Sequence, residues 1–393
     1  MSQDAIVIVG AARTAMGGFQ GALSAVDAPN LGATAIREAI NRAGLKADDI
    51  SEVLMGCVLP AGLGQAPARQ AARHAGIPDG VGATTVNKVC GSGMKTVMLG
   101  HDLLVAGSAE VVVAGGMESM TNAPYLLPKA RGGLRMGHGE VKDHMFFDGL
   151  EDAYTGRLMG SFAQETADKY GLTREDMDAF SIESLHRAQA AIESGAFVDE
   201  ITPVSIQSRK GEITFKVDEQ PGNARPDKIP TLRPAFAKDG TITAANSSSI
   251  SDGGAAVVLM RESDALARGL KPLARIRAHA THSQHPSEFT IAPVGAMQKV
   301  LDKAGWSRDE VDLFEINEAF AMVTMLAIKE LGLDHAKVNV NGGACALGHP
   351  IGCSGTRLLV TLAYALKNRG LNKGIASLCI GGGEATAVAI ELV

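Results

Sequence analysis

The chain has 393 residues, of which 46% are hydrophobic and 20% charged, a balance typical of a folded globular protein and not of a disordered or fibrous chain. Its formal net charge of −6, from 37 basic and 43 acidic side chains, argues against a general nucleic-acid-binding surface. No apolar run reaches the roughly 18 residues that a transmembrane helix needs, so we expect no membrane association. Five cysteines, too few and odd in number for a disulfide framework, predict free thiols in a reducing compartment. With no basic N-terminal stretch, the sequence predicts a cytoplasmic protein.

Short β-branched runs alternate with helical stretches in the first third of the chain. Residues 5–14, 52–60 and 110–120 are predicted strands that open into glycine-containing turns, and residues 31–44 are a predicted helix. This alternation is typical of an α/β fold whose sheet is covered by helices.

The second half of the chain repeats the pattern of the first. Residues 86–107 and 338–366 each place a cysteine with small residues directly before an apolar helix. Residues 110–119 and 374–392 each contain a strand that opens into a glycine cluster followed by a glutamate. Strand–glycine–helix order is common to all α/β proteins, but several matched elements in one order favour two related domains packed together.

Residues 121–250 interrupt this repeat and hold seven of the eleven phenylalanines and three of the four tyrosines. We predict an amphipathic helix over 173–195, capped by Thr173, and a strand followed by an irregular loop over 211–230. An aromatic-rich insertion is a suitable place for substrate selection, and the alternative is a satellite core that only covers the main domains.

Cys90 is the first candidate for chemistry, because it ends a β-rich run and precedes Gly91-Ser92-Gly93 and an apolar helix. A thiol at a helix N-terminus faces unpaired N–H groups and the positive end of the helix dipole. We therefore expect its pKa to lie below the ordinary value of ~8.5. Cys57, inside a predicted strand, is interpreted as a small buried hydrophobic residue.

His349 and Cys379 are the next candidates. His349 lies in a glycine-rich turn before Pro350 and can accept and return the proton of a thiol. Cys345 and Cys353 flank it at four residues on each side, but no Cys-x-x-Cys pair supports a metal site there. Cys379 precedes three glycines at a predicted strand end, where a second acid or base and oxyanion-binding N–H groups can form.

Polar residues elsewhere have two interpretations each. Asn317, at the end of a predicted strand, can orient a water or hold a carbonyl oxygen, or it can cap a helix over 318–329. His279, His282 and His285 are spaced by three and suggest a metal trio, but the surrounding residues favour a solvated surface loop. We predict no metal site, and no dinucleotide or phosphate-loop motif supports NAD or ATP.

Taken together, these motifs resemble the thiolase family, and the resemblance runs the full length of the chain. It is carried by residues 8–21, VNKVCGSGMK around Cys90, GGMESM (115–120), NEAF (317–320), NGGACALGHPIGCSG (341–355) and CIGGG (379–383). Within the family the chain is most similar to short-chain acetoacetyl-CoA thiolases, which are acetyl-CoA C-acetyltransferases.

The resemblance implies a duplicated five-layered αβαβα core with an inserted loop domain. The implied domains are an N-terminal core domain (1–120 with 251–270), a loop domain that binds CoA (121–250) and a C-terminal core domain (271–393). It also implies a homotetramer that acts on acyl-CoA substrates, with coenzyme A as substrate or product and no tightly bound cofactor.

The resemblance further implies ping-pong chemistry. Cys90 would accept the acyl group, His349 would activate it, and Cys379 would move a proton to or from the second substrate. One oxyanion hole would use a water held by Asn317 together with His349, and the other the N–H groups of Cys90 and Gly381. The implied reaction is the Claisen condensation of two acetyl-CoA or its reverse, and the alternative is a broad-range 3-ketoacyl-CoA thiolase of fatty-acid breakdown.

The resemblance places the pantetheine arm of CoA against small and apolar residues, mostly in the loop domain. These are Leu150, Met159, Phe236, Ala244, Ser248, Ala319 and Phe320. Phe289 corresponds to an acyl-pocket position typical of members that also accept 2-methylacetoacetyl-CoA. Leu158 stands where many bacterial members carry histidine, and Arg225 is a candidate contact for the CoA phosphates.

Two other functions are compatible with parts of this pattern. A condensing ketoacyl synthase would carry a cysteine with two histidines, or with histidine and asparagine, and Cys379 argues against it. An acyl-CoA-binding protein on an inactive scaffold would have lost a catalytic residue, whereas Cys90, Asn317, His349 and Cys379 are all present.

Overall fold

The computed structural model describes residues 4–208 and 211–393 of the chain. The strands are β1 Ile6–Thr14, β2 Gly17–Gly18, β3 Glu52–Gly56, β4 Gly82–Val86, β5 Val111–Ser119, β6 Tyr125–Leu126, β7 Lys142–Asp143, β8 Ile201–Thr202, β9 Val204–Ser208, β10 Gly211–Phe215, β11 Ser251–Arg261, β12 Ala274–Ser283, β13 Leu313–Ile316, β14 Lys373–Ile380 and β15 Glu384–Leu392. The helices are α1 Ala28–Arg42, α2 Pro67–His74, α3 Ser92–Ala106, α4 Met159–Tyr170, α5 Arg174–Glu193, α6 Glu219–Asn223, α7 Glu262–Ala267, α8 Ala292–Ala304, α9 Ala321–Leu331, α10 Ala344–Leu347 and α11 Ser354–Arg369. The three strands predicted in the first third of the chain are confirmed as β1, β3 and β5.

The two halves of the chain build sheets with the same strand order. The first repeat, which includes β11 from beyond the inserted segment, has the strand order β1-β11-β5-β3-β4. The second repeat has the order β12-β15-β14-β13, and a parallel bridge from Phe314 to Val338 stands where a fifth strand would pair with β13. The two series join where β1 pairs with β12 over Ile6 to Ile8. This repeated order confirms the predicted duplication.

Helices cover each sheet on both faces because its strands are apolar on both sides. One core packs α1 and α2 on the outer face of the first sheet, and another packs α8 and α9 on the outer face of the second. A third core, the largest, holds α3 and α11 between the two sheets. The order of layers is therefore αβαβα, as the resemblance implied.

The inserted segment forms helices α4 and α5, two short hairpins and irregular chain. Thr173 caps α5, accepting a hydrogen bond from the N–H of Asp176 at 3.1 Å, which confirms the predicted helix. The predicted loop after β10 is wrong in part, because it contains the short helix α6 and a 3-10 helix over Pro226–Thr231, a region rich in proline. The predicted domain boundaries stay predictions.

Within the described residues, no helix combines the length and apolarity that crossing a membrane requires.

A buried ion-pair network ties the inserted segment to β1. Arg13 is fully buried, donates to Glu200 at 2.5 Å and binds both carboxylate oxygens of Asp218 at 2.7 and 2.9 Å. Thr361 on α11 also donates to Glu200, at 3.0 Å. Because the two acids lie in the segment outside the repeated core, Arg13 fixes where that segment sits.

Replacing Arg13 by methionine should destabilise the protein by about 3–5 kcal/mol, because two buried carboxylates lose their counter-charge. Denaturant unfolding at neutral pH measures this change. Arg73→Met, at a side chain that is 61% exposed, is the control and should cost less than about 1 kcal/mol. A loss no larger than that of the control would show that the network does not hold the segment.

Candidate active site

Cys90 lies in a tight turn between β4 and α3. The turn is closed by Ser92, whose hydroxyl donates to the carbonyl of Val89 at 2.6 Å and accepts from the N–H of Lys88 at 2.8 Å. Val89 has φ of +46°, a left-handed conformation that a β-branched residue rarely adopts. The turn therefore holds the cysteine in a strained backbone that the surrounding packing maintains.

The thiol of Cys90 does not have the lowered pKa that its place before a helix suggested. The N–H groups of Gly381 and of Cys90 itself face the sulfur and favour the thiolate, but burial outweighs them and raises the pKa to about 11. The prediction of a thiolate was wrong because it counted the helix terminus and not the apolar pocket. At neutral pH the side chain of Cys90 is therefore a neutral thiol.

His349 is held by hydrogen bonds at both ring nitrogens. Its Nδ1 lies 2.5 Å from the hydroxyl of Ser354, which itself donates to the carbonyl of Pro350 at 2.9 Å. Because that hydroxyl gives its own hydrogen to Pro350, it accepts from Nδ1–H, and Nε2 carries the lone pair. Burial, followed by the charge of Arg357, lowers the pKa of His349 to about 3, so the ring is neutral and can accept a proton at Nε2.

Asn317 contacts the same nitrogen. Its side-chain amide Nδ2 lies 3.3 Å from Nε2 of His349, while its Oδ1 is buried without a hydrogen-bond partner among the described residues. The alternative role as a helix cap is wrong, since α9 begins at Ala321 with Phe320 as its N-cap. Asn317 thus presents a free acceptor beside the histidine, as a residue that holds a water would.

Cys379 is the last residue but one of strand β14, with 1% of its surface exposed. Burial, and then the nearby Cys90, raise its pKa well above the ordinary value. Gly381 follows two residues later, where its N–H faces the sulfur of Cys90. The second cysteine is therefore a neutral thiol beside the first.

One apolar pocket of about 240 Å³ brings most of the predicted site residues together. Those that line it are Cys90, Leu150, Met159, Phe236, Ser248, Phe289, Ala319, Phe320, His349, Cys379 and Gly381. Asn317 is fully buried and reaches the pocket through His349. Leu158 also lines the pocket, where it presents an apolar side chain.

The walls of this pocket are fixed by contacts between the inserted segment and α9. The rings of Phe236 and Phe320 meet edge to face with centroids 6.2 Å apart, and Ser248 donates its N–H and its hydroxyl to the carbonyl of Ala319, each at 3.0 Å. Ala244 lies elsewhere, in a neighbouring groove that Arg225 and Lys228 also line. The segment 244–249 borders both spaces.

Two buried glutamates support the site, and the sequence reasoning gave neither of them a role. Glu118 accepts hydrogen bonds from the N–H groups of Val58 at 3.0 Å, Leu59 at 3.1 Å and Gly352 at 2.8 Å. It thereby ties β5 to the loop that carries His349, although burial raises its pKa to about 7. The signal was present in GGMESM, where a glutamate lies near the end of an otherwise apolar strand.

Glu318 holds the other side of the site. It accepts from Ser184 at 2.7 Å, from Asn339 at 2.8 Å and from the N–H of Cys345 at 3.1 Å. These bonds join the residue after Asn317 to the inserted segment and to the glycine-rich loop. Burial raises the pKa of Glu318, and its hydrogen bonds oppose that shift.

The three histidines near residue 280 do not form a trio. His279 and His282 lie on strand β12 and not in a surface loop, so that interpretation was wrong for both. His282 faces Gln284 at 3.0 Å, and His285 accepts a 3.4 Å hydrogen bond from the N–H of Ser287. The strand continues past the polar residues because it pairs with β15 as far as Ser283.

Comparison with known proteins gives one family over almost the whole chain. Residues 6–263 match the thiolase N-terminal domain, and residues 270–392 match the thiolase C-terminal domain. The chain belongs to the thiolase family. An acetyl-CoA acetyltransferase of Pseudomonas aeruginosa is 53% identical over 387 residues and one of Escherichia coli is 51% identical over 387 residues, and each comparison covers 98% of both chains.

Solved structures agree. An acetyl-CoA acetyltransferase of Bacillus anthracis superposes on this thiolase with a TM-score of 0.97 at 43% identity, covering 100% of this chain and 99% of the other. A thiolase of Ascaris suum in complex with coenzyme A gives a TM-score of 0.94 at 42% identity, covering 99% and 100%. The predictions of a thiolase fold and of an acyltransferase are confirmed.

Removing the hydroxyl of Ser354 should impair His349 without unfolding the protein. Ser354→Ala leaves Nδ1 without its acceptor, so the ring loses the tautomer that places the lone pair on Nε2. Losing a buried hydrogen bond costs about 1–3 kcal/mol. If that cost is added to the activation barrier, kcat/KM falls roughly 10- to 100-fold.

The matched control is Ser377→Ala, which also removes a buried hydroxyl, one that donates to the carbonyl of Thr386 at 2.9 Å. It should cost similar stability with little change in kcat/KM for acetoacetyl-CoA thiolysis. Equal activity in the two variants would contradict the role given to Ser354.

Alkylation of Cys90 by iodoacetamide should accelerate about tenfold per pH unit between pH 7 and 10, because the thiolate is the reactive form and its pKa is about 11. Peptide mass spectrometry of the residue 90 peptide follows the rate. A small thiol with an ordinary pKa of ~8.5 is the control, and its rate should level off within this range. A plateau for Cys90 below pH 9 would mean that the resting enzyme holds a thiolate.

Proposed function

We propose that this thiolase catalyses the reversible condensation of two acetyl-CoA molecules to acetoacetyl-CoA and CoA, with an acetyl group carried on Cys90. The observation that carries the proposal is the single apolar pocket in which Cys90, His349 and Cys379 meet. The relatives at about 50% identity, all named acetyl-CoA acetyltransferase, support the same reaction and do not favour the broad-range alternative.

In the first half-reaction the sulfur of Cys90 attacks the thioester carbonyl of acetyl-CoA. Its proton passes to Nε2 of His349 as the S–C bond forms, and the CoA sulfur leaves as a thiol after taking that proton. The thiol and the imidazole are both neutral at rest, with pKa values of about 11 and about 3, so transfer before attack is unfavourable. Proton transfer and bond formation are therefore coupled.

The N–H groups of Cys90 and Gly381 face the sulfur that carries the acetyl group. They are placed to donate to the oxygen of the acetyl-enzyme when that carbonyl becomes tetrahedral. On the other side of the pocket, the free acceptor of Asn317 and Nε2 of His349 define a polar corner. A water held there, with a protonated His349, would receive the enolate oxygen of the second acetyl-CoA.

In the second half-reaction the sulfur of Cys379 takes the C2 proton of the second acetyl-CoA while its own thiol proton passes to Nε2 of His349. The new C–C bond forms at the acetyl carbonyl as the C–S bond to Cys90 breaks, and the sulfur of Cys90 takes the proton held on His349. A raised pKa makes the Cys379 thiolate a strong base for a weakly acidic C–H, and it keeps the thiol protonated to donate to the enolate in thiolysis.

Coenzyme A is the substrate and product in this proposal, and no bound cofactor is required. The apolar wall of Leu150, Met159, Phe236 and Phe320 suits the pantetheine arm with its thioester aimed at Cys90. We propose that the phosphate end of CoA extends toward the neighbouring groove, which Arg225 and Lys228 line. Ala244, one of the CoA contacts that the resemblance implied, lines the same groove.

The finer assignments are also proposals. Five free cysteines fit a cytoplasmic enzyme of short-chain fatty-acid or ketone-body metabolism. Strand β4 pairs on one side only among the described strands, and the inserted segment exposes Tyr125 at 69% and Met136 at 80%. An open edge and exposed apolar side chains favour assembly, for which we propose a homotetramer.

The test of the function is thiolysis by CoA of 3-ketoacyl-CoAs of increasing chain length. We expect activity with acetoacetyl-CoA and 2-methylacetoacetyl-CoA and a fall of at least roughly 100-fold in kcat/KM at six and eight carbons. Phe289 is 3% exposed in the pocket wall, so a longer acyl chain would have to displace a packed ring, at a cost of about 3 kcal/mol or more. Comparable rates at all lengths would establish the broad-range alternative.

Cys379→Ala should separate the two half-reactions. Acetylation of Cys90 by acetyl-CoA, measured by intact mass, should proceed within about threefold of the unmodified enzyme, while acetoacetyl-CoA formation should fall at least 10³-fold, because the acid or base is lost. Cys345→Ala, at a thiol that lines the neighbouring groove, is the control and should retain both. Loss of acetylation together with condensation would refute the division of roles, and Cys90→Ser should acquire no stable thioester at any residue.

A further inference from the structure

Three side chains outside the active-site pocket bring their metal-ligating atoms together. His101 and Asp102 lie on α3, in the first half of the core, and His279 lies on β12, in the second half. Nε2 of His279 is 3.0 Å from Oδ1 of Asp102 and 3.3 Å from Nδ1 of His101, and the last two atoms are 3.2 Å apart. None of the three residues lines the pocket that holds Cys90.

We propose that His101, Asp102 and His279 form a binding site for a divalent transition-metal ion, with zinc as the best-matched ion. Two imidazoles and one carboxylate are a donor set that binds zinc and its neighbours in the first transition row and that calcium and magnesium do not favour. The site would link the two halves of the core.

The spacing of the three atoms matches such an ion. Zinc lies about 2.0–2.1 Å from nitrogen and oxygen ligands, and in a tetrahedron of that size the ligands are about 3.3 Å apart. The observed separations of 3.0 to 3.3 Å are close to that edge length, so a point about 2 Å from all three atoms exists beside the cluster. The two imidazole rings meet edge to face, with 81° between their planes, and do not stack on each other.

The surroundings leave one coordination position open. The side chains of His101 and His279 are 21% and 16% exposed, whereas that of Asp102 is 55% exposed. The face of the cluster beside Asp102 therefore meets solvent, where a water can complete four ligands. A cation, Lys303 on α8, also lies near the cluster, and its ammonium donates to the carbonyl of His279 at 3.1 Å.

The consequence of occupancy is structural. Helix α3 begins two residues after Cys90, and β12 is the strand through which the second sheet joins the first. An ion held by residues of both α3 and β12 would raise the free energy of unfolding by an amount set by its concentration and Kd. The reason is that the three ligand atoms lie together only in the folded chain. The thiolysis rate should not change, since no ligand touches the pocket.

The site is tested by titrating chelator-treated enzyme with Co²⁺ and then displacing it with Zn²⁺. We expect one equivalent of Co²⁺ with the intense visible bands of a four-coordinate ion, and a rise in Tm when zinc is added. Because Cys90, Cys379 and His349 could bind metal themselves, the enzyme is first alkylated with iodoacetamide, and the spectrum is checked for a sulfur-to-cobalt charge-transfer band, which should be absent.

His279→Ala and Asp102→Asn should each weaken Co²⁺ binding at least tenfold and abolish the zinc-dependent rise in Tm, with unchanged thiolysis in the enzyme that has not been alkylated. Asp102→Asn keeps the size of an exposed side chain and so tests the ligand without a packing change. His138→Ala, at an exposed histidine outside the cluster, is the control and should bind as the parent does. Binding that survives both substitutions, binding with a sulfur band, or no saturable uptake would each overturn the proposal and leave a hydrogen-bonded cluster only.

Discussion

The close contact of α3 and α11 is the constraint on which the active site depends. A Cβ at Gly93 would lie 2.8 Å from Oγ1 of Thr356, and one at Gly355 would lie 2.3 Å from the backbone nitrogen of Met94, so neither position accepts a larger residue without a shift. Thr356 also donates across the contact to the carbonyl of Gly93 at 2.7 Å. Since Cys90 precedes one helix and His349 precedes the other, the contact brings the thiol and the imidazole into the same pocket.

Burial also sets the acid–base character of the site. It raises the pKa of the thiols of Cys90 and Cys379 and lowers that of His349, so the resting site carries neither a thiolate nor an imidazolium. A neutral site costs less to bury than an ion pair, and it is compatible with an apolar pocket for a thioester. Charge arises only during reaction, next to the N–H groups and the polar corner that can stabilise it.

Most of the fold could be predicted from the sequence because its signals are local or repeated. The strands over β1, β3 and β5, the cap at Thr173 and the matched halves follow from periodicity and from residue order. The helix after Asn317 could not be placed as well, because its start is decided by tertiary contacts: the N–H of Ala321 donates to the carbonyl of Asn246, 75 positions earlier, at 2.9 Å. The predicted lowering of the Cys90 pKa was wrong for a related reason, since burial of the thiol depends on residues far away in the chain.

The site residues that sequence reasoning missed share one property: they act through partners distant in sequence. Glu118 is recognised only when Val58, Leu59 and Gly352 surround it, and Glu318 only when Ser184 and Asn339 do. His279 likewise contacts His101 and Asp102, which are 178 and 177 positions away, and not His282 or His285. Residue spacing alone cannot reveal such contacts, because the chain must first be folded to bring them together.

The duplication explains how one scaffold supplies two different groups. Each repeat places a cysteine just before its central helix, Cys90 before α3 and Cys353 before α11. Cys353 is fully buried, burial raises its pKa to about 12, and it does not line the pocket. In the second repeat the residue that reaches the pocket is instead His349, four positions earlier, held there by Ser354 at the first turn of α11. The two repeats therefore place different side chains in the pocket: in the first repeat the cysteine before the helix, and in the second the histidine four positions before the matching cysteine. That difference lets two similar helix starts supply the thiol and the imidazole that the proposed reaction needs.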